Sequence, residues 1–429
     1  MPKTAQTNEN TASEAHEKEA YRANTGQNRS GAAPLAGVRV IDLSAVLMGP
    51  YATQILGDHG ADVVKIESPE GDSTRAIGPA RHAGMGPMFL HLNRNKRSVV
   101  LDLKTPAGKA AMRRLLETAD VFVHNLRPAS VARLGFDYDS VAAINPRIIW
   151  CGVYGYGEEG PYAGRPAYDD LIQGAVGVAA LQKRAGAEVP RYAPLNIADR
   201  MTGLHAAHSV AMALFARERT GRGCRIDIPM FETMVGVVLS DHIYGRSFVP
   251  PTGEAGYSRL LSPSRRPYET SDGYLCAMVY NDGQWQRFLR AIGRADLLAD
   301  ARFASLASRT RHIDEVYGFL AQTLRTESTA HWLDLFARID LPAGPVNTIE
   351  ELFDDPHLAA VGFFQQVEHP SEGPMLTFGT AARWVGYEVG ALAPAPRLGE
   401  HTEEVLRECG FDPNQLNNEP KQEKKESKP

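Results

Sequence analysis

The feature that most constrains the fold is a repeated alternation of short apolar runs and helical stretches between residues 38 and 153. Val38-Arg39-Val40-Ile41-Asp42-Leu43 reads as a buried strand. Residues 50–59 read as a helix with Pro50 near its start, and Gly60 closes it. Ala61-Asp62-Val63-Val64-Lys65-Ile66-Glu67 is the next strand, so the unit is strand–helix–strand and implies parallel pairing through a crossover. The pattern recurs with a strand at 98–103 and a helix at 105–118 that has Thr105 at its cap and Pro106 at its first position. A strand at 120–125, a short helix at 129–134 and a strand at 147–153 follow. This is an α/β chain, a doubly wound Rossmann-like large domain.

Such a sheet raises the dinucleotide question. After the first strand the turn is Ser44-Ala45-Val46-Leu47-Met48-Gly49-Pro50, with a single glycine. The dinucleotide fingerprint needs three glycines so that backbone can approach a pyrophosphate. An NAD-dependent dehydrogenase is therefore disfavoured, and Glu67 reads as a strand-end charge. Neither a phosphate-binding G-x-x-x-x-G-K-[ST] loop nor a G-x-S-x-G elbow occurs in the chain.

Beyond the large domain (34–249) the composition changes. Residues 231–246 read as an amphipathic helix, and Pro250, Pro251 and Pro263 then mark irregular chain. A strand at 274–279 and helices at 282–292, 311–324 and 330–339 make 250–350 a smaller α+β domain, with 351–412 returning toward the large one. The leader 1–33 and the tail 413–429 are polar and charged, and are expected to be disordered.

At 429 residues and net charge −5, the chain carries no basic field for nucleic acid. It has no continuous apolar run of about 20 residues to span a membrane. Cys151, Cys224, Cys276 and Cys409 are scattered without a C-x-x-C pair, which argues against a zinc framework and fits a reducing, cytoplasmic setting. His205 and His208 share a helix face but lack a third ligand, so no metal is expected.

One carboxylate stands out. In Leu195-Asn196-Ile197-Ala198-Asp199-Arg200-Met201-Thr202-Gly203, Asp199 lies where an apolar run meets an alanine-rich helix. It is either a helix cap, favoured by orphan N–H groups and the positive dipole end, or a working group.

Several phrases come in one order: Asn93-Arg94-Asn95-Lys96-Arg97-Ser98, Leu101-Asp102-Leu103-Lys104, Asn125-Leu126-Arg127-Pro128 and Arg133-Leu134-Gly135. Gly155-Tyr156-Gly157, Ala198-Asp199, Thr220-Gly221-Arg222-Gly223 and Leu398-Gly399-Glu400-His401-Thr402 follow. From about 35 to 410 the chain resembles the class III coenzyme A transferase family, which includes formyl-CoA transferases, carnitine CoA-transferases and α-methylacyl-CoA racemases. The resemblance implies a ring-shaped chain in an interlocked homodimer. It implies acyl-CoA and a small carboxylic acid as substrates with no permanently bound cofactor, and Asp199 as nucleophile. It places coenzyme A against the turn with Leu47 and Met48, the stretch Leu101, Leu103 and Lys104, and Asn125, Leu126, Arg127 and Arg133. Those residue types suit the ligand, whose phosphates need Arg or Lys while its pantetheine arm needs an apolar channel. Without the resemblance, Lys104, Arg127 and Arg133 read as ordinary surface charge.

A carboxyl of ordinary pKa near 3.9 is ionised at neutral pH and needs no base to act as a nucleophile. The implied reaction runs through an aspartyl–acyl anhydride and an aspartyl–CoA thioester. Tyr168-Asp169 occupies the place where the racemases carry a His followed by Asp. A phenol ionises near pH 10 and is a poor base, so Tyr168 points to transfer rather than epimerisation. Otherwise Tyr168 is a packed aromatic, and Asp169 caps the helix after it. The chain departs from the formyl-CoA transferase pattern at Leu47 and Ser68, and lacks a glycine run at 261–268, where Arg265 and Arg266 suggest a dicarboxylic acid such as succinate. The expected activity is therefore transfer of coenzyme A between an acyl-CoA and a carboxylate. The alternatives are an acyl-CoA racemase or epimerase, an intramolecular CoA-transferring isomerase, or a non-catalytic acyl-CoA-binding homologue.

Overall fold

The computed structural model describes residues 33–389 and 392–416. Six parallel strands form the central sheet: β1 Arg39–Leu43, β2 Asp62–Glu67, β3 Lys96–Val100, β4 Val121–His124, β5 Ile149–Tyr154 and β6 Cys224–Pro229, in the order β3-β2-β1-β4-β5-β6. That order is the one found in dinucleotide-binding sheets, with the switch of direction between β1 and β4. The α/β expectation holds for the sheet and its helices, although the third strand lies at 96–100 rather than 98–103.

Alternation in the strands sends successive side chains to opposite faces. Ile41 joins one buried cluster with Phe122 and Trp150, under the helices Pro106–Glu117 and Thr402–Glu408. Val40 joins a second with Val121 and Ile149, under the helices Met48–Asp58 and Ile197–Thr220. Thr105 caps its helix as the sequence predicts, its hydroxyl accepting from the Gly108 N–H at 3.0 Å.

Three antiparallel strands, β7 Tyr268–Glu269, β8 Tyr274–Ala277 and β9 Ala343–Pro345, carry a third core with Trp285, Phe288, Leu320 and Phe336. The helix expected over 311–324 is two, Leu306–Arg311 and Ile313–Leu324, because His312 departs from helical backbone at the junction. A hairpin of β10 Phe364–His369 and β11 Gly373–Phe378 lies in the 351–412 segment, which the sequence reading leaves without strands. The leader through 32 and the tail from 417 lie outside the described residues. Of the tail expected to be disordered from 413, Pro413–Leu416 form a 3-10 turn whose Leu416 packs on the first core cluster.

A group of buried charges crosses β1–β3. The side chains of Asp42, Lys65 and Lys96 are wholly buried. Lys96 Nζ donates to Asp42, Asn93 and Thr53, and Lys65 Nζ donates to Asp72 and to the Ser44 carbonyl. Glu67 does end β2, but as a buried charge, held by Arg75 through two hydrogen bonds of 2.8 and 2.7 Å and by Ser98 at 2.6 Å. Despite full burial the Asp42 carboxyl is held down to about 2, the desolvation penalty being outweighed by the Lys96 and Lys65 charges together with the Ser44 and Thr53 hydroxyls.

Candidate active site

A cavity of about 290 Å³ opens at the switch point, where open α/β sheets bind ligands. One wall is the Ala45–Met48 turn. Asn125, Arg127 and Pro128 after β4 form the second, and Tyr154–Tyr156 with Arg165–Tyr168 form the third. Asp199 and Met230 complete it.

Asp199 is the third residue of the helix Ile197–Thr220, so it sits at the positive end of a 24-residue dipole without being its cap. Its carboxylate has no hydrogen-bond donor among the described residues. Burial raises its pKa to about 7, the Asp169 charge pushes it the same way, and Arg200 partly opposes them. The expectation of an ordinary, fully ionised aspartate is thereby corrected. The site leaves the group near half-charged at neutral pH.

Asp169 does not cap its own helix, Asp169–Ala175, either. Its carboxylate accepts the Asp199 N–H at 2.9 Å and the Gln173 amide at 2.5 Å. Fully buried Gln173 also donates to the Leu195 carbonyl at 3.1 Å and accepts the Ala193 N–H at 2.9 Å. Asp169 and Gln173 together fasten the approach to the long helix and set where Asp199 stands. Tyr168, expected either as a packed aromatic or as a site residue, is 68 % exposed and lines the cavity.

The residues assigned to coenzyme A divide. Leu47, Met48, Asn125 and Arg127 line the cavity, and Arg127 has no carboxylate partner among the described residues. The Asn125 amide is already engaged, accepting the Ala45 N–H at 3.0 Å and donating to the Ala45 carbonyl at 2.7 Å. Leu101 is buried in the first core cluster, and Leu103 and Leu126 pack against it, so these side chains serve the core. Lys104 and Arg133 are exposed outside the cavity, Arg133 reaching Ser130. Arg265 and Arg266 are also exposed and do not line it.

Val46, Tyr154, Tyr156, Glu158, Arg165 and Met230 line the cavity without having been singled out as site residues. Of these, Tyr156 carried a signal, standing in the Gly155-Tyr156-Gly157 phrase, and Val46 stood in the turn with Leu47 and Met48. Arg165 lies 4.4 Å over the Tyr162 ring, which packs edge-on against Tyr156 and Phe231. No group of three or more His, Cys, Asp or Glu in a metal-holding arrangement occurs among the described residues.

At the switch point of the parallel sheet the cavity thus brings the Asp199 and Glu158 carboxylates together with Arg127 and Arg165. Residues 35–402 match CoA-transferase family III, and the chain belongs to that family, an enzyme of the CoA-transferase class. It is 38 % identical over 400 residues to a succinate–glutarate CoA-transferase of Agrobacterium fabrum, covering 87 % of this chain and 95 % of that one. It is 32 % identical to a mouse succinyl-CoA:glutarate CoA-transferase, over 87 % and 86 % of the two chains. Among solved structures, a CaiB/BaiF family protein from Brucella suis superposes with a TM-score of 0.73 at 32 % identity. That match covers 88 % of this chain and all of the other.

Proposed function

We propose that the protein is an intermolecular CoA-transferase that moves coenzyme A from a donor such as succinyl-CoA to a dicarboxylic acid, with Asp199 as covalent carrier. The observation that carries this reading is the Asp199 carboxylate, free of hydrogen-bond donors among the described residues and sharing a cavity with Arg127 and Arg165. Its relatives act, by their names, on succinate, glutarate and succinyl-CoA. The lining fits coenzyme A: Val46, Leu47, Met48 and Met230 offer the apolar channel, and the two arginines suit phosphates or a carboxylate.

In the first step an Asp199 oxygen attacks the donor thioester carbonyl and the C–S bond breaks, leaving an anhydride and the CoA thiolate. The thiolate attacks the Asp199 carbonyl and releases the donor acid, so CoA is now a thioester of Asp199. An acceptor carboxylate attacks that thioester and expels the thiolate. The thiolate then takes the acceptor acyl group and frees Asp199. Each intermediate keeps an activated acyl bond, so neither ATP nor a metal enters the balance. Near neutrality the ionised fraction of Asp199 sets the rate of the first step.

The functional unit is an interlocked homodimer of ring-shaped chains. The helices Ile197–Thr220 and Met230–His242 pack on each other and leave Leu204, Met212, Phe215, Val237 and Leu239 exposed, apolar surface that a second copy of the chain would cover. Four free cysteines fit a cytoplasmic location.

The test is mass spectrometry of CoA products in D2O after incubation with succinyl-CoA, 2-methylacyl-CoA and a panel of mono- and dicarboxylic acids. Appearance of a dicarboxylate's CoA ester with release of succinate supports transfer. Deuterium at C2 of the 2-methylacyl-CoA with no new thioester overturns it in favour of epimerisation.

A further inference from the structure

Val46 is a β-branched residue at φ +71°, a left-handed conformation such residues avoid. It sits in the cavity wall, and its strain persists only because the turn is gripped from two sides. On one side Asn125 holds both the N–H and the carbonyl of Ala45. On the other, the Val46 N–H points at both oxygens of Asp72, at 3.4 and 3.3 Å. Asp72 is itself fixed by the buried Lys65 ammonium at 3.0 Å, by the Thr74 hydroxyl at 2.8 Å and by its own N–H to Glu67 at 3.0 Å. Lys65 also reaches the Ser44 carbonyl at 2.8 Å, so one ammonium ties Asp72 to the start of the turn. The turn also touches the helix that carries Asp199. A Cβ on Gly203, one helical turn beyond Asp199, would stand 2.5 Å from the Met48 carbonyl oxygen and 3.0 Å from the Tyr51 ring.

We propose that Asp72, backed by Lys65, is a positioning residue for the transfer reaction: it holds Val46 in its strained conformation and thereby fixes the Ala45–Met48 backbone against the reacting end of the substrate. None of these three side chains performs chemistry. Their work is geometric, and a misplacement of about 1 Å at a reacting centre can cost on the order of a hundredfold in rate. The inference rests on the CoA-transfer reading.

The test asks whether removing the strain removes the need for Asp72. Glycine accepts positive φ without cost, so a Val46→Gly backbone holds the turn geometry unaided. Asp72→Ala is expected to lower kcat at least about tenfold with Val46 in place, but by less than about threefold when both proteins compared carry Val46→Gly, with acyl-CoA KM changed by less than about threefold in each comparison. An equal loss of kcat on Asp72→Ala in both backgrounds would overturn the proposal, as would wild-type turnover by Asp72→Ala alone. If Asp72→Ala fails to fold, Lys65→Met with Asp72→Leu, which leaves no unpaired ammonium buried, takes its place in both comparisons. A wild-type protein that transfers no coenzyme A would instead refute the CoA-transfer reading itself.

Discussion

Replacing Asp169 with Asn probes the electrostatics that raise Asp199. Burial is the larger cause of that rise and the Asp169 carboxylate the next, so the Asp169→Asn variant should reduce the shift without abolishing it. Loss of the like charge is worth roughly one pKa unit, about 1.4 kcal/mol. With the wild-type group at about 7, roughly a tenth is ionised at pH 6 and nine-tenths at pH 8. After a one-unit fall, about half is ionised at pH 6, so kcat/KM there should rise about fivefold while the pH 8 value changes by less than about twofold. The sign follows from the attacking species being the carboxylate. The new amide can still accept the Asp199 N–H, but its NH2 then faces the Gln173 amide that now donates to Asp169. That mismatch should lower stability by about 1–3 kcal/mol. The assay is a pH–rate profile of CoA exchange for both proteins, alongside thermal unfolding to confirm folded enzyme. An acid limb that stays in place in a folded Asp169→Asn protein would refute the reasoning, leaving burial alone as the cause.

Three further outcomes are expected. Asp199→Ala should abolish exchange while coenzyme A still binds, measured by calorimetry alongside product analysis. Arg127→Ala should raise the acyl-CoA KM about tenfold and flatten its dependence on salt if, as proposed, this cavity-lining cation, which has no carboxylate partner among the described residues, meets a phosphate of coenzyme A; an unchanged KM would return Arg127 to surface charge. Phe336→Ala, at a site with no solvent exposure in the third core, should cost about 3–5 kcal/mol in denaturant unfolding.

The sheet was readable because its signals are local. Apolar runs of strand length, helix caps at Thr105 and Pro106 and chain-closing glycines each act within a few residues, and most of the strands and helices read from them lie within a few residues of their expected positions. Asp199 was legible too, as a carboxylate with no packing role in an ordered set of family phrases. The site around it was legible only in part. Leu126 shares a phrase with Arg127, and Leu101 and Leu103 share one with Lys104, yet all three pack with the core, because a strand-end phrase gives proximity to a ligand without saying which side chains turn toward it. Arg165 escaped notice because an exposed arginine in a turn carries no pattern.

By itself the sequence determined the α/β class, the missing dinucleotide glycines, the lone carboxylate and the tyrosine that argues against epimerisation. Each of these depends on residue type and near neighbours. Only the tertiary structure decided the ionisation of Asp199, since that depends on burial and on Asp169, thirty residues earlier in the chain. It alone showed Lys65 and Asp72 from the second strand and its exit, and Asn125 from the end of the fourth, converging on the turn that holds a strained Val46. Charge and strain are set by what the fold brings within a few ångströms, and no spacing along the chain records that distance.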